Sequence, residues 1–166
     1  MKKVIVIGCP GSGKTTFSKA LFHKIKAPLY HLDAIWHKPD KTHVSRDEFD
    51  ARLGEILASE RWIIDGNYSR TIEHRLMACD TVFLFDLPTE LCIEGATSRI
   101  GTKRDDMPWV DTALDSRLLS EIKSFRTEKL PEIYALLAKY ATGKQIIIFK
   151  TRKEADDYLS ALGCES

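Results

Sequence analysis

The chain has 166 residues, of which 43% are hydrophobic and 30% charged, and its 25 basic and 24 acidic side chains leave a formal net charge of +1. This length and composition predict one globular domain over residues 1–166. The balanced charge, without a basic stripe, argues against direct binding to nucleic acid. We also expect no membrane span, because no run of about 20 apolar residues exists.

Short apolar runs alternate with helical patterns along the whole chain. The runs at 4–7, 28–32, 61–65, 81–87 and 145–149 predict five strands. Capping boxes at 45–48 and 151–154 predict helix starts, and Thr89 is predicted to cap a helix that ends near Gly101. A longer helix is predicted from Asp111, with Pro131 kinking or splitting it. Five strands separated by helices predict an α/β fold, a parallel sheet with helices on both faces.

The segment "GCPGSGKT", residues 8–15, matches the complete G-x-x-x-x-G-K-[ST] motif. It follows the first predicted strand directly and precedes a helix, as a phosphate-binding loop does. Lys14 is predicted to bridge the β- and γ-phosphates of ATP, and the Thr15 hydroxyl to bind Mg²⁺. The predicted ATP site comprises Gly8, Pro10, Gly11, Ser12, Gly13, Lys14, Thr15 and Thr16.

A magnesium ion on Thr15 needs a carboxylate from a neighbouring strand end, and the candidates are Asp33, Asp65 and Asp86. We predict Asp65, within "WIIDGNYSR", because a short buried strand precedes it and Gly66 leaves room for phosphate or water. The three consecutive apolar residues indicate a strand buried on both faces, so "DG" is not read as a hairpin turn. The next helix is expected to begin near Ser69 or Thr71.

A basic segment after the fourth strand helps to distinguish kinases from GTPases among P-loop proteins. No N-K-x-D motif of GTPases is present, whereas Arg99, Lys103 and Arg104 are typical of the cations that kinases bring over the phosphates. We call residues 99–111 the arginine segment and predict that it is a lid with Arg99 and Arg104 catalytic. A solvated basic loop is the alternative.

These motifs together resemble a known family. The P-loop, "DGN", the arginine segment and "IIIFKTRKEADDYL" resemble the adenylate kinase and nucleotide kinase superfamily. More closely, "VIGCPGSGKTTF", "PLYHLD", "WIIDGNYSRT", "DTVFLFDLPTE" and "KRDDMPWV" resemble the bacterial adenylate kinase-related topology modulation proteins over nearly the whole chain. The resemblance implies the P-loop nucleotide-kinase fold with strand order 2-3-1-4-5, ATP with Mg²⁺ as donor, and a lid that closes over both substrates.

The acceptor side departs from the adenylate kinase pattern. Those enzymes grip the acceptor's phosphate through D-x-x-R and D-G-F-P-R segments, but here Trp36 replaces the first arginine and Arg70 comes one residue late. AMP is therefore not predicted, although Arg70 can still turn inward, since one residue rotates a helix by about 100°.

A hydroxyl acceptor is the other possibility. Asp33, at the end of the second strand, is placed to act as its general base. The predicted acceptor site comprises Asp33, Trp36, Asp65, Gly66, Tyr68 and Arg70, with residues of about 33–60 as an acceptor-binding insert. The predicted reaction is phosphoryl transfer from ATP to a small acceptor, a nucleotide or nucleoside.

The alternative function is a non-catalytic ATP-binding regulatory module associated with DNA topology. The four cysteines (Cys9, Cys79, Cys92 and Cys164) form no C-x-x-C pair and predict reduced thiols in the cytoplasm. The six-residue spacing of His31, His37 and His43 predicts no metal site. Nothing in the sequence indicates an oligomeric state.

Overall fold

The computed structural model describes residues 1–163, and five strands within them form one parallel sheet. The strands are β1 (Lys3–Gly8), β2 (Leu29–His31), β3 (Trp62–Asp65), β4 (Thr81–Phe85) and β5 (Gln145–Phe149). Their order is β2-β3-β1-β4-β5, and all four neighbouring pairs are parallel. The predicted α/β fold and strand order are confirmed.

Helices connect the strands, as parallel pairing requires. They are α1 (Lys14–Ile25), α2 (Leu32–Trp36), α3 (Arg46–Ala58), α4 (Ser69–Ala78), α5 (Thr89–Ser98), α6 (Ser116–Ser124), a π-helical segment (Phe125–Lys129), α7 (Leu130–Lys139) and α8 (Arg152–Ala161). The Thr151 side chain and Glu154 form the complete capping box predicted for the last helix. Ser45 accepts a hydrogen bond from the Glu48 backbone N–H at the start of α3.

The centre of the sheet is covered on both faces. Every residue of β3 and β4 is buried, which explains why these strands read as continuous apolar runs. Phe17 of α1 packs edge-on against Phe83, Phe85 and Phe149, with ring centroids 4.8 to 5.3 Å apart. This aromatic cluster fixes α1, and therefore the loop before it, over β4 and β5.

Two expected helix starts were wrong. Thr89 is the first helical residue of α5 rather than its cap, because Pro88 occupies the cap position and makes no side-chain cap bond. The helix expected from Asp111 begins at Ser116, since the Asp115 side chain accepts a hydrogen bond from the Arg117 backbone N–H.

The predicted break near Pro131 takes the form of the π-helical segment. Pro131 carries no backbone N–H, and just before it the Leu130 N–H donates to Phe125 O, five residues back. The long helix is therefore split into α6 and α7, as the proline predicted.

Parallel strands bring their carboxyl ends to one edge of the sheet. Val6 of β1 lies opposite Asp65 of β3, and Gly8 lies opposite Phe85 of β4. The loops after β1, β3 and β4 therefore meet at this edge. Within residues 1–163 no helix is long and apolar enough to cross a membrane. Cys9, Cys79 and Cys92 are buried free thiols, whereas Cys164 lies outside the described residues.

Candidate active site

The glycine-rich loop between β1 and α1 is held by its neighbours. Asn67, two residues after β3, clamps it in both directions: the Gly8 N–H donates to Asn67 Oδ1 at 3.0 Å, and Asn67 Nδ2 donates to Gly8 O at 2.7 Å. Gly11 has φ 80°, and a Cβ there would lie 2.0 Å from the carbonyl oxygen of Cys92 in α5. Only glycine fits this close approach. Asn67 was not predicted as a site residue, although "DGN" pointed to its loop.

Thr15 and Asp65 lie together, as predicted. Thr15 Oγ1 donates to Asp65 Oδ2 at 2.9 Å, and His31 Nδ1 lies 2.9 Å from the same oxygen. Asp65 is only 4% exposed, so its buried oxygens rely on these polar neighbours for hydrogen bonds. A second carboxylate also lies close: Oδ2 of Asp106, in the arginine segment, is 3.5 Å from Thr15 Oγ1. Asp106 was not predicted as a site residue. It lies outside the strands, so no strand pairing could be used to place it beside Thr15.

The Thr15 hydroxyl lies against two carboxylate oxygens, one from Asp65 and one from Asp106. Hydroxyl and carboxylate oxygens are the ligands that Mg²⁺ prefers, so Thr15, Asp65 and Asp106 fit that ion. Within residues 1–163 no group of three or more histidine, cysteine or acidic side chains is arranged to hold a metal by itself. A magnesium ion here would therefore need further ligands from a bound phosphate.

The arginine segment folds back onto the P-loop. Lys19 of α1 pairs with Asp105 at 2.5 Å, and Arg104 forms a two-pronged pair with Asp106 at 2.9 and 2.5 Å. Arg99 lies nearby, and its Nε is buried without a hydrogen-bond partner in the described part of the chain. Burial and the adjacent Arg104 charge lower the pKa of Arg99.

Two cavities open on either side of the Lys14 and Thr15 side chains. The P-loop cavity, of about 480 Å³, is lined by Gly11, Gly13, Thr16, Lys19, Lys103 and Arg152, among others. The aromatic cavity, of about 510 Å³, is lined by Asp33, Trp36, Gly66, Asn67, Tyr68 and Trp109, among others. Pro10 also lines the aromatic cavity, whereas Gly8 and Ser12 line neither. Five side chains line both cavities: Lys14, Thr15, Arg99, Arg104 and Asp106.

The aromatic cavity holds most of the predicted acceptor residues. Asp33, expected at the end of β2, is instead the second residue of α2, because β2 ends at His31. The Tyr68 hydroxyl donates to Asp33 Oδ1 at 2.7 Å. Burial, followed by the Asp33 charge, raises the pKa of Tyr68, so the phenol stays protonated. Trp36 stacks on His43 at 4.3 Å between ring centroids, which holds the indole against the cavity wall.

Arg70 does not face the cavity. It pairs with Asp50 of α3 through two hydrogen bonds of 3.0 and 2.7 Å on the protein surface. The structure therefore does not show the inward turn that the position of Arg70 on its helix left open, and it does not bring this predicted acceptor residue to the cavity. Five residues further along α4, Arg75 is fully buried and donates to the backbone oxygens of Gly66, Asn67 and Tyr68. Burial lowers its pKa to about 9. Arg75 was not predicted, because its helical position reads as an ordinary surface charge.

Asp86, the third strand-end carboxylate, has a different role. Its buried side chain accepts hydrogen bonds from Arg126 at 2.8 Å and Tyr134 at 2.7 Å, and it also pairs with Lys150. These contacts tie the end of β4 to the π-helical segment, α7 and the end of β5. Asp86 is occupied by structural partners, which leaves Asp65 as the strand-end carboxylate on Thr15.

The strand order β2-β3-β1-β4-β5 and the complete P-loop define a P-loop α/β fold. Comparison with protein-family models gave no match, and a search of curated proteins gave none. Among solved structures, a candidate kinase from Chloroflexus aurantiacus J-10-fl matches with 20% identity and a TM-score of 0.57, over 96% of this chain and 95% of that chain. Shikimate kinase from Bacteroides thetaiotaomicron matches with 16% identity and a TM-score of 0.59, over 96% and 94%. At these identities the likeness shows the fold.

Proposed function

We propose that this protein transfers the γ-phosphoryl group of ATP to a small acceptor, a nucleoside or nucleotide. The observation that carries the proposal is the set of five side chains shared by the two cavities. A phosphoryl group moving from one bound molecule to another must pass where their cavities meet. Three of the five, Lys14, Arg99 and Arg104, are cations, and neutralising phosphate charge is most of what such catalysis needs.

The P-loop cavity is the proposed donor site. Backbone N–H groups of the loop and the start of α1 would hold the phosphates, with Lys14 on the β- and γ-phosphates. Lys14 Nζ now donates to the Cys9 carbonyl at 3.2 Å, an exchangeable contact within its own loop. Arg99, which lines this cavity, has its Nε buried without a partner among the described residues, and a phosphate oxygen would supply the acceptor.

Thr15 and Asp65 are the proposed protein ligands for Mg²⁺. The bound ion would supply positive charge to the β- and γ-phosphates. Asp65 also keeps the Thr15 hydroxyl oriented through the 2.9 Å bond, while His31 holds the same carboxylate oxygen. The residues of this chain thus provide a preorganised pair of oxygens, and the arginine segment is the proposed lid over them.

The aromatic cavity is the proposed acceptor site. Trp36 and Tyr68 offer ring faces and edges to a base or sugar, and Asp33 is the proposed general base for a hydroxyl. Tyr68 occupies Asp33 Oδ1, so Oδ2 remains for the acceptor. Arg70 does not line this cavity, so it provides no phosphate grip there.

An acceptor screen tests the proposal. ADP release from ATP and Mg²⁺ would be measured with a panel of nucleosides, nucleoside monophosphates, small polyols and hydroxy acids. We expect at least one acceptor to raise ADP release above the rate with water. If ATP binds and no acceptor raises ADP release, a non-catalytic ATP-binding module becomes the better description.

Lys14→Ala is the first variant to examine. Because Lys14 is the one lysine proposed to bridge the transferred phosphate, its loss should lower acceptor-dependent ADP release by about 100-fold or more. Thermal unfolding should remain cooperative. Lys123→Ala is the matched control, since Lys123 is exposed on α6 and lines neither of the two cavities. Equal activity in Lys14→Ala and Lys123→Ala would contradict the donor-site assignment.

A further inference from the structure

Two buried carboxylates flank the Thr15 hydroxyl. Asp65, from β3, and Asp106, from the arginine segment, are 4% and 3% exposed, and their Oδ2 atoms lie 2.9 and 3.5 Å from Thr15 Oγ1. A single hydroxyl hydrogen can serve only one of them well, and the shorter bond goes to Asp65. Two negative charges so close to one hydroxyl, and away from water, require positive charge nearby.

Arg104 supplies that charge to Asp106 in this structure. Its Nε and one terminal nitrogen donate to the two carboxylate oxygens at 2.9 and 2.5 Å. The two side chains are therefore an ion pair, with the guanidinium facing its own segment.

This pairing conflicts with the proposed task of Arg104. Arg104 lines both cavities, and to stabilise a transferring phosphate it must direct its donors at phosphate oxygens. Turning away would leave Asp106 buried without its hydrogen-bonded counter-charge, which is unfavourable for a buried ion. A divalent cation at Thr15 and Asp65 would remove this cost, because Asp106 already lies against the same hydroxyl.

We infer that Asp106 is a metal ligand carried by the arginine segment, and that Mg²⁺ and Arg104 exchange places on it. Without the ion, Asp106 holds Arg104. With Mg²⁺ and nucleotide bound, Asp106 binds the cation alongside Thr15 and Asp65, and Arg104 is released to the phosphates. Closure of the segment and completion of the cation site are then one event. This inference rests on the proposed function, since it needs ATP at the P-loop.

Mn²⁺ binding, measured by electron paramagnetic resonance with a non-hydrolysable ATP analogue and no acceptor, tests the exchange without activity. Asp106→Asn should weaken Mn²⁺ binding by about tenfold or more. The same variant should bind the metal-free analogue at least as tightly as the wild type, because Arg104 is no longer held. A purely structural role for Asp106 would weaken both.

Asp105→Asn is the matched control, since Asp105 is the adjacent carboxylate, is exposed, and pairs with Lys19 instead. It should leave Mn²⁺ affinity within about twofold of the wild type. The double variant Arg104→Gln/Asp106→Asn removes both charges of the ion pair, so neither partner is left buried and unpaired in a way that could disturb folding. It should show the same loss of Mn²⁺ affinity as Asp106→Asn. Wild-type Mn²⁺ affinity in both Asp106 variants would overturn the inference. Failure of the wild type to bind Mn²⁺ with the analogue would overturn the proposed donor site as well.

Discussion

The hydrogen bond between Tyr68 and Asp33 sets up the proposed acceptor chemistry at the scale of single residues. Tyr68 has a positive φ of 41°, an uncommon conformation for a large side chain. The backbone oxygens of Gly66, Asn67 and Tyr68 accept hydrogen bonds from buried Arg75, which holds the loop in this shape. The phenol is thereby directed at Asp33. One carboxylate oxygen is fixed by Tyr68, and the proposed role of the other is to accept a proton from a hydroxyl.

Asp33→Asn should lower kcat by about 100-fold or more, because general-base catalysis typically contributes that much. Tyr68→Phe keeps the carboxylate and removes only its hydrogen bond, so we expect a smaller loss of kcat. Steady-state kinetics with the acceptor found by the screen would measure both. An unchanged kcat in Asp33→Asn would show that Asp33 only contributes to binding or structure.

Some residue-level features could be predicted from the sequence and others could not. The contact of Thr15 with Asp65 follows from two motifs at adjacent strand ends. The outward position of Arg70 was not predictable, because Asp50 on a distant part of the chain decides it. The burial of Arg75 is equally a product of tertiary packing. Local sequence patterns do not predict contacts with residues that are distant in the chain.

Helix α5 supports the P-loop at the scale of elements. Gly11 of the loop and Gly95 of α5 face each other so closely that a Cβ on Gly95 would lie 2.0 Å from the Gly11 carbonyl oxygen. Helix and loop backbones are therefore in direct contact. A shift of α5 must move the loop, and with it the proposed phosphate site.

Gly95→Ala should destabilise the protein by about 1–3 kcal/mol, as overpacking typically does, and should weaken ATP binding because the loop must move. Gly54→Ala is its matched control, since Gly54 also lies within a helix, α3, and a Cβ there meets nothing within 4 Å. That variant should gain about 0.5–1 kcal/mol from helix propensity. Urea unfolding measures both changes. A Gly95→Ala protein as stable as Gly54→Ala would contradict the close packing.

The Asp86 cluster joins four elements and should make stability depend on pH. Burial favours a higher pKa for Asp86, but hydrogen bonds from Lys150 and Tyr134 outweigh it and hold this pKa below the ordinary value of 3.8. A carboxyl whose pKa is lower in the folded state stabilises the fold above its unfolded pKa. That stability is lost as pH falls through the folded pKa.

Asp86→Asn should therefore cost about 1–3 kcal/mol at neutral pH, the usual cost of disrupting a buried hydrogen-bonded group. The difference in stability from the wild type should shrink as the pH falls from the unfolded pKa of 3.8 through the lower folded pKa, where the wild-type carboxyl also becomes protonated. Urea unfolding at neutral and acidic pH measures this. A difference that stays constant or grows on acidification would contradict the assignment.

At the scale of the whole molecule, the architecture could be predicted where the local sequence patterns and the rules of sheet topology agree. Continuous apolar runs, intervening helices and a complete P-loop specify a doubly covered parallel sheet with its chemistry at one edge. The arginine segment has no such periodicity, so its return onto Thr15 and the position of Asp106 required the structure. The P-loop and the contact between Thr15 and Asp65 could thus be predicted from the sequence, whereas the position of Asp106 beside them could not.

At the scale of the whole molecule, the two adjoining cavities support the proposed function, which is direct transfer of a phosphoryl group between two bound molecules. ATP carrying a radioactive label in its γ-phosphate, incubated with the protein, Mg²⁺ and the acceptor panel, tests this most directly. We predict label in a small organic phosphate, formed only when its acceptor is present and lost in Lys14→Ala. Label appearing only in inorganic phosphate, or remaining in ATP with every acceptor, would contradict the account.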